Sequence, residues 1–141
     1  HKPAGVCEAA DTVDYHHYRG PTMFPVNPRR ISFLGEFGGL GHPVEGHLWK
    51  AASGNWGYGG IEDTKTREGL EKSYAGLLGK VADLARKGLG GAVYTQTTDV
   101  EIEINGLMTY DRKVLKFDPS ALKAVHEAVQ KAFRESTQNI R

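Results

Sequence analysis

A short apolar run that contains one carboxylate and stops in two glycines constrains the fold of this 141-residue chain most. The run is ISFLGEFGG, residues 31–39, and its carboxylate is Glu36. An apolar run of this length that is closed by glycine is typical of a buried strand entering a loop. Parallel α/β folds place their chemistry at the carboxyl ends of strands. Glu36 is therefore predicted to lie at the functional end of a strand.

Other strand and helix patterns surround this run. Clusters of β-branched and aromatic residues predict strands, and apolar residues at steps of three and four predict helices. An N-cap followed by proline, Asp118-Pro119, marks the second helix start, and Gly88 marks the end of the first helix. The predicted elements are strands at residues 11–18, 31–36 and 90–98, a helix at residues 66–87 and a helix from residue 118 onward.

The two predicted helices each have one apolar face. These faces comprise Leu70, Tyr74, Leu77, Val81 and Leu84 in the first helix and Leu122, Val125, Val129 and Phe133 in the second. Strands that alternate with helices favour an α/β fold with a parallel sheet. Three strands and two helices leave sheet edges unpaired, so residues 1–141 are interpreted as one domain that is part of something larger.

Composition narrows the classes of partner. The formal charge is +1, from 18 basic and 17 acidic side chains, which gives no broad basic surface for nucleic acid or an anionic membrane. Cys7 is the only cysteine, which excludes an intrachain disulfide and a thiolate metal cluster. No apolar run approaches the ~20 residues that a membrane span needs. The compartment stays open between bacterial cytoplasm, periplasm and secretion.

Side-chain alternation along the strands groups the polar residues that could carry chemistry. Asp14, His16 and Tyr18 share one face of the first strand, Ser32 and Leu34 are expected on the side of Glu36, and Ala92, Tyr94 and Gln96 share a side of the third strand. If these sets face one pocket, carboxylates, hydroxyl donors and aromatic faces converge there. Such a mixture suits a polyhydroxylated ligand such as a sugar.

Each of these residues also has a purely structural interpretation. Glu36 can be a solvated group at a strand end, His16 and His17 can be structural histidines, and the aromatic residues of the long loop can pack that loop. The aromatic residues concerned are Trp49, Trp56 and Tyr58. A metal site of Asp14, His16, His42 and His47 is a further alternative, but the chain has no HExxH-type spacing, and no metal is predicted.

Four segments of the chain resemble glycoside hydrolase family 2, which includes β-galactosidases and β-glucuronidases. The segments are YHHYRGP (15–21), LGEFGGLGHPVEGH (34–47), NWGY (55–58) and GAVYTQTTDVEIEINGLMTYDRKV (91–114). The resemblance covers nearly the whole chain, and it is closest to a bacterial branch in the last segment. It implies a retaining hydrolase with a (β/α)8 TIM barrel, of which this chain would supply strands six to eight and the last two helices.

The resemblance also implies roles for individual residues. Glu36 matches the catalytic nucleophile, Tyr18 matches a tyrosine that hydrogen-bonds the nucleophile, and Tyr94 matches an aromatic sugar platform. His16 matches a position that faces substrate, and the candidate loop contacts to substrate are Trp56, His42 and Glu45. No organic cofactor is implied. Gly39 stands where β-galactosidases have a histidine, so the identity of the sugar does not transfer.

The second carboxyl group of a retaining glycosidase is missing. Retention needs two carboxyl groups ~5 to 5.5 Å apart, and the family's acid/base is a glutamate that follows asparagine on strand four. The chain contains no Asn-Glu pair, and a whole barrel takes about 250 residues. The leading hypothesis is therefore a β-glycosidase fragment that needs the remainder of the barrel, and that alone is inactive and self-associates or stays partly molten. The alternative is a non-catalytic carbohydrate-binding or interaction fragment.

Overall fold

The computed structural model describes residues 9–50, 54–59 and 63–138, so Cys7 lies outside the described residues. The elements, in chain order, are strands β1 (Thr12–His17) and β2 (Ile31–Gly38), helix α1 (Arg67–Arg86), strand β3 (Leu89–Thr95) and helix α2 (Pro119–Gln138). The predicted order and the α/β class are confirmed at the level of three parallel strands and two helices. The third strand ends at Thr95 and is shorter than predicted.

The sheet has the order β1-β2-β3, and both neighbouring pairs are parallel. Strand β2 is therefore central, and Glu36 lies opposite His16 on β1. One residue later, Phe37 lies opposite Tyr94 on β3. Because parallel strands run in the same direction, the ends of all three strands and the loops that follow them meet at one edge of the sheet.

Local signals fix the helix ends where the sequence places them. The Thr66 hydroxyl accepts the Gly69 N–H at 3.1 Å at the start of α1. At the start of α2, Asp118 Oδ1 accepts the N–H groups of Ser120 and Ala121 at 2.9 and 3.0 Å. Both contacts satisfy amide groups that a helix N-terminus leaves without partners. Gly88 follows α1 with a φ of +106°, a conformation that favours glycine.

The hydrophobic core lies between the sheet and the helices. It is built from Leu34, Phe37, Leu40, Leu70, Tyr74, Leu78, Val81, Leu89 and Phe117, all buried. In α1, Leu77 and Leu84 of the predicted apolar face are only partly buried, whereas Leu78, which was not part of that face, is buried. Helix α2 packs more loosely, and Ala132 is its buried residue. The apolar face of α2 lies against the core at its margin.

Strand β2 departs from regular alternation just before Glu36. Its pairing with β3 shifts between Leu34 and Phe37, and both of these side chains face the core. Gly35 and Glu36 therefore lie between two side chains that face the core, and the Glu36 side chain lies on the opposite face of the sheet. The expectation that Ser32 and Leu34 share a side with Glu36 is wrong, because Ser32 and Leu34 are buried and a strand irregularity re-aims the carboxylate.

No helix among residues 9–50, 54–59 and 63–138 combines the length and the apolar character needed to span a membrane.

Candidate functional site

Glu36 is the centre of a half-exposed polar cluster at the carboxyl end of the central strand. The Tyr18 hydroxyl donates a 2.5 Å hydrogen bond to Glu36 Oε2 and lies 3.3 Å from the hydroxyl oxygen of Thr95. The Glu36 side chain is 42% exposed, so a ligand can reach it. Tyr18, Glu36 and Thr95 come from three neighbouring strand ends, and only the folded sheet brings them together.

His16 and Asp14 complete this cluster on the β1 side. His16 Nδ1 lies 3.4 Å from Glu36 Oε2, and His16 Nε2 lies 3.1 Å from Asp14 Oδ2. Asp14 Oδ1 accepts the Gly35 N–H at 2.8 Å, which ties β1 to β2. A side chain at residue 35 would meet the Asp14 carboxylate, so glycine is required for this close approach. The predicted grouping of Asp14, His16 and Tyr18 with Glu36 is confirmed.

The Tyr18 hydroxyl keeps its proton over the working range of most enzymes. Partial burial and the neighbouring Glu36 raise the pKa of Tyr18 to about 12. Both causes disfavour a second negative charge beside the carboxylate. Tyr18 is therefore a hydrogen-bond donor to Glu36 Oε2, and the same oxygen faces His16. Oε1 takes part in neither contact.

Aromatic residues of the long loop after β2 lie against Tyr18. The rings of Tyr18 and Tyr58 are stacked with centroids 3.9 Å apart at an interplanar angle of 16°. Trp56 lies edge-on to Tyr58 at 5.4 Å and remains 37% exposed. Trp56 and Tyr58 thus pack beside the Glu36 cluster and stay partly exposed.

Trp49 lies on a different part of the structure. Its ring is edge-on to Tyr110 at 5.4 Å, and both rings are exposed. His47 links the same two loops, because its Nδ1 lies 2.9 Å from Asp111 Oδ2. The Thr109 hydroxyl donates to the other oxygen of Asp111 at 2.6 Å. This second aromatic pair is held by its own polar contacts and not by the Glu36 cluster.

Tyr94 does not converge with Glu36 as the sequence predicts. Its ring packs edge-on against Tyr74 at 4.8 Å and against Phe37 at 5.7 Å, on the core side of the sheet. Its hydroxyl accepts the Leu40 N–H at 3.1 Å, and burial raises its pKa. The ring therefore packs, partly buried, against the hydrophobic core. The physical reason is the irregular step in β2, which places Phe37 rather than Glu36 opposite Tyr94.

The other loop candidates have different surroundings. His42 Nδ1 donates to the Thr64 carbonyl at 2.6 Å, and its main-chain N–H donates to Ile104 O at 2.9 Å. Glu45 is exposed in a turn. His42 thus holds the loop in place, and its bonds do not involve Glu36. Glu45 faces solvent.

The geometry does not support the alternative of a metal site. Its four proposed ligands separate into three places, with Asp14 and His16 at the Glu36 cluster, His42 at Thr64 and His47 at Asp111. Within the described parts of the chain, no three His, Cys, Asp or Glu side chains are grouped so as to hold a metal ion.

The loop after β3 carries a polar network that the sequence analysis did not find. Glu103 Oε2 accepts from Gln96 Nε2 at 3.3 Å and from Asn105 Nδ2 at 3.2 Å. Gln96 also donates to Asn105 Oδ1 at 2.9 Å, and Asn105 is fully buried. Glu101, two residues away, is exposed. Glu101 is thus solvated, whereas Glu103 is held by two amide groups, and the spacing EIE, residues 101–103, contains no signal that separates the two.

A buried ion pair closes the same loop. Lys116 Nζ donates to Asp99 Oδ1 at 2.6 Å and to Ile104 O at 3.0 Å. The side chains of Lys116 and Asp99 are 0% and 3% exposed. Burial raises the pKa of Asp99 and lowers the pKa of Lys116, and their mutual contact opposes both shifts. A lysine inside the apolar run VLKF, residues 114–117, is the one sequence signal that points to this pair.

A cleft of about 800 Å³ borders the site between β1 and α1. Its lining includes His16, Tyr18 and Tyr58 together with Lys80 of α1. Glu36 is outside this lining, and its side chain is 42% exposed.

No protein-family model matches the sequence, and no curated protein sequence matches it significantly.

Proposed function

We propose that this chain is the C-terminal part of the (β/α)8 barrel of a retaining β-glycosidase and that it supplies the catalytic nucleophile, Glu36. The observation that carries the proposal is the accessible Glu36 carboxylate, which receives a 2.5 Å hydrogen bond from Tyr18 at the end of the central parallel strand. The resemblance to glycoside hydrolase family 2 supports the same assignment. The three parallel strands and two helices would be strands six to eight with the last two helices.

The two carboxylate oxygens of Glu36 have different roles in this proposal. Oε2 is occupied by Tyr18 and faces His16, so Oε1 attacks the anomeric carbon. The bond from the anomeric carbon to the leaving oxygen breaks as the glycosyl ester forms, and the leaving oxygen takes a proton from an acid of the remaining barrel. That group then removes a proton from water, the water oxygen attacks the anomeric carbon, and Glu36 is released as a carboxylate.

Asp14 does not take the place of the missing acid in this mechanism. Both of its oxygens already have partners, Oδ1 with the Gly35 N–H and Oδ2 with His16 Nε2. Asp14 lies on the strand next to Glu36, and His16 lies between the two carboxylates. Asp14 therefore orients His16, and the proton donor is supplied by the remainder of the barrel.

Covalent labelling tests the nucleophile directly. A 2-deoxy-2-fluoro β-glycoside with an activated leaving group traps the glycosyl ester without the help of an acid. We expect the complete barrel to gain the mass of one fluorosugar on the tryptic peptide 31–50, with fragmentation placing it on Glu36. Glu45 lies in the same peptide, so Glu45→Gln is the matched control that keeps the label and Glu36→Gln is the variant that loses it.

Two results contradict the proposal. A label on any residue other than Glu36 removes the nucleophile assignment, and no label with any β-glycoside favours the non-catalytic carbohydrate-binding alternative. The isolated chain is expected not to hydrolyse an aryl β-glycoside, because it lacks the acid. Hydrolysis by the isolated chain that disappears in Glu36→Gln would overturn the fragment hypothesis.

A further inference from the structure

The position of Tyr18 is not secured by the sheet that carries it. Tyr18 follows the last residue of β1, His17, and lies in a turn. No strand ladder therefore holds its backbone, although its hydroxyl has to stay 2.5 Å from Glu36 Oε2. A contact other than strand pairing is needed to fix the plane of the Tyr18 ring, because a tyrosine side chain turns about two bonds.

Tyr58 provides that support. Its ring lies nearly parallel to the Tyr18 ring at a centroid distance of 3.9 Å. Its main chain is bound to the segment that follows Glu36, since its N–H donates to Gly39 O at 2.6 Å and its carbonyl accepts the Gly41 N–H at 3.3 Å. Tyr58 is thus anchored next to the nucleophile strand and stacks on the residue that binds the nucleophile.

The space around this stack is reserved for the two rings. Gly39 has a φ of +65°, and a side chain there would press against the rings of both Tyr58 and Tyr18. Trp56 lies edge-on to Tyr58 at 5.4 Å. Aromatic pairs favour offset-stacked or edge-on arrangements with centroids about 4.5–7 Å apart, so the Trp56–Tyr58 pair has a typical geometry and the Tyr18–Tyr58 stack is a closer contact. The three rings form a row in which Tyr18 is the member that reaches Glu36.

From this geometry we infer that Tyr58 is a positioning residue for the reaction, which acts through Tyr18 and holds its hydroxyl on Glu36 Oε2. The inference rests on the proposed function. Tyr58 needs no contact with the sugar for this role, and its own hydroxyl is dispensable because the ring alone makes the stack.

A double-mutant cycle in the complete barrel tests whether Tyr58 acts through Tyr18. We expect Tyr58→Leu to lower kcat for an aryl β-glycoside by about two- to tenfold with little change in KM, the range that loss of an aromatic pair allows. Tyr58→Phe keeps the stack and should restore kcat. In a Tyr18→Phe background, Tyr58→Leu should change kcat by less than about twofold, because the hydroxyl that it positions is absent.

Tyr110→Leu is the matched control, because Tyr110 is an exposed tyrosine that pairs with Trp49 on another loop. It should leave kcat unchanged in both backgrounds. If Tyr58→Leu does not fold, Tyr58→Met replaces it in the cycle, because methionine keeps apolar bulk and loses the ring plane.

Additive effects of Tyr58→Leu and Tyr18→Phe would overturn the inference, and so would a Tyr58→Phe variant as slow as Tyr58→Leu. The fluorosugar label separates this failure from a failure of the proposed function. With Glu36 labelled and the effects additive, only the role of Tyr58 falls. With Glu36 unlabelled, the assignment of the nucleophile falls.

Discussion

Two carboxylates near the same edge of the sheet have opposite surroundings. The Glu36 side chain is 42% exposed and is bound by a neutral hydroxyl, that of Tyr18. The Asp99 side chain is 3% exposed and is bound by the ammonium group of Lys116 and by the Gly106 N–H. A carboxylate whose charge is neutralised and enclosed stabilises a loop. A carboxylate that is oriented but left accessible can react.

Removing the Glu36 charge in the proposed complete barrel should have the largest effect on activity. We expect Glu36→Gln to lower kcat/KM for an aryl β-glycoside by a factor on the order of 10⁴ or more, the scale seen when a nucleophile is removed. Urea unfolding should be nearly unchanged, because the side chain is half exposed. Unchanged turnover in Glu36→Gln would remove Glu36 from the proposed mechanism, and Glu45→Gln, at an exposed position of the loop that follows β2, is the control.

At the pair of Asp99 and Lys116 we expect the reverse of the result at Glu36, with a large effect on stability and a small effect on activity. Lys116→Met leaves the Asp99 charge buried without its counter-ion, which costs about 3–5 kcal/mol in the free energy of unfolding. The shift in the urea midpoint measures this effect. Lys113→Met is the matched control, because Lys113 is 74% exposed at 3.9 Å from Asp111 and its loss should change stability by less than about 0.5 kcal/mol. Equal midpoints for the two variants would contradict a structural role for the buried pair.

Removing the Tyr18 hydroxyl should have a smaller effect on the activity proposed for Glu36. Tyr18→Phe should lower kcat/KM by roughly 10- to 100-fold, because it removes one hydrogen bond to a charged group. Tyr15→Phe is the control, since the Tyr15 ring stacks on His17 and packs on Phe24 away from Glu36.

The pH dependence of Tyr18 has a defined direction. The pKa of about 12 lies above the value of about 10 expected in the unfolded chain. The contribution of Tyr18 to folding stability is therefore complete below pH 10 and is lost as the pH rises through 12. Ultraviolet difference titration of the protein against Tyr18→Phe measures this pKa. A tyrosinate signal from Tyr18 below pH 10 would contradict the assigned donor role.

Asp111 gives a third carboxylate and the smallest expected effect. The Thr109 hydroxyl, assisted by His47, lowers its pKa to about 2. Because this pKa lies below the value of about 3.9 in the unfolded chain, the contribution of Asp111 to folding stability is present above pH 4 and is lost as the pH falls through 2. Thr109→Val should return the pKa toward 3.9 in a carboxyl NMR titration. Thr97→Val, at an exposed position of the same loop, should leave it at about 2.

The sequence predicted much of the Glu36 cluster for a simple reason. Alternation along a regular strand placed Asp14, His16 and Tyr18 on one face, and the carboxyl-end argument placed Glu36 beside them. Alternation failed for Leu34 and Tyr94, because the irregular step in β2 changes which side chains face the core. A shift in register depends on pairing with neighbouring strands, which the local pattern does not contain.

The polar contacts of the loop after β3 were also beyond local patterns. Lys116 and Asp99 are 17 positions apart, and Glu103 differs from Glu101 only through the amides of Gln96 and Asn105 that surround it. A charge run reads as solvated until the fold supplies partners for one of its members.

Periodicity, capping residues and glycine act over a few neighbouring positions, so the residues alone were enough to predict the elements, their order, both helix starts and the end of α1. Three features emerged only in the folded chain: Tyr94 packs against the core, Asp99 is enclosed with Lys116, and Tyr58 stacks on the tyrosine that binds Glu36. Those outcomes depend on contacts between residues that are distant in the chain, and such contacts form only when packing, burial and register are satisfied together.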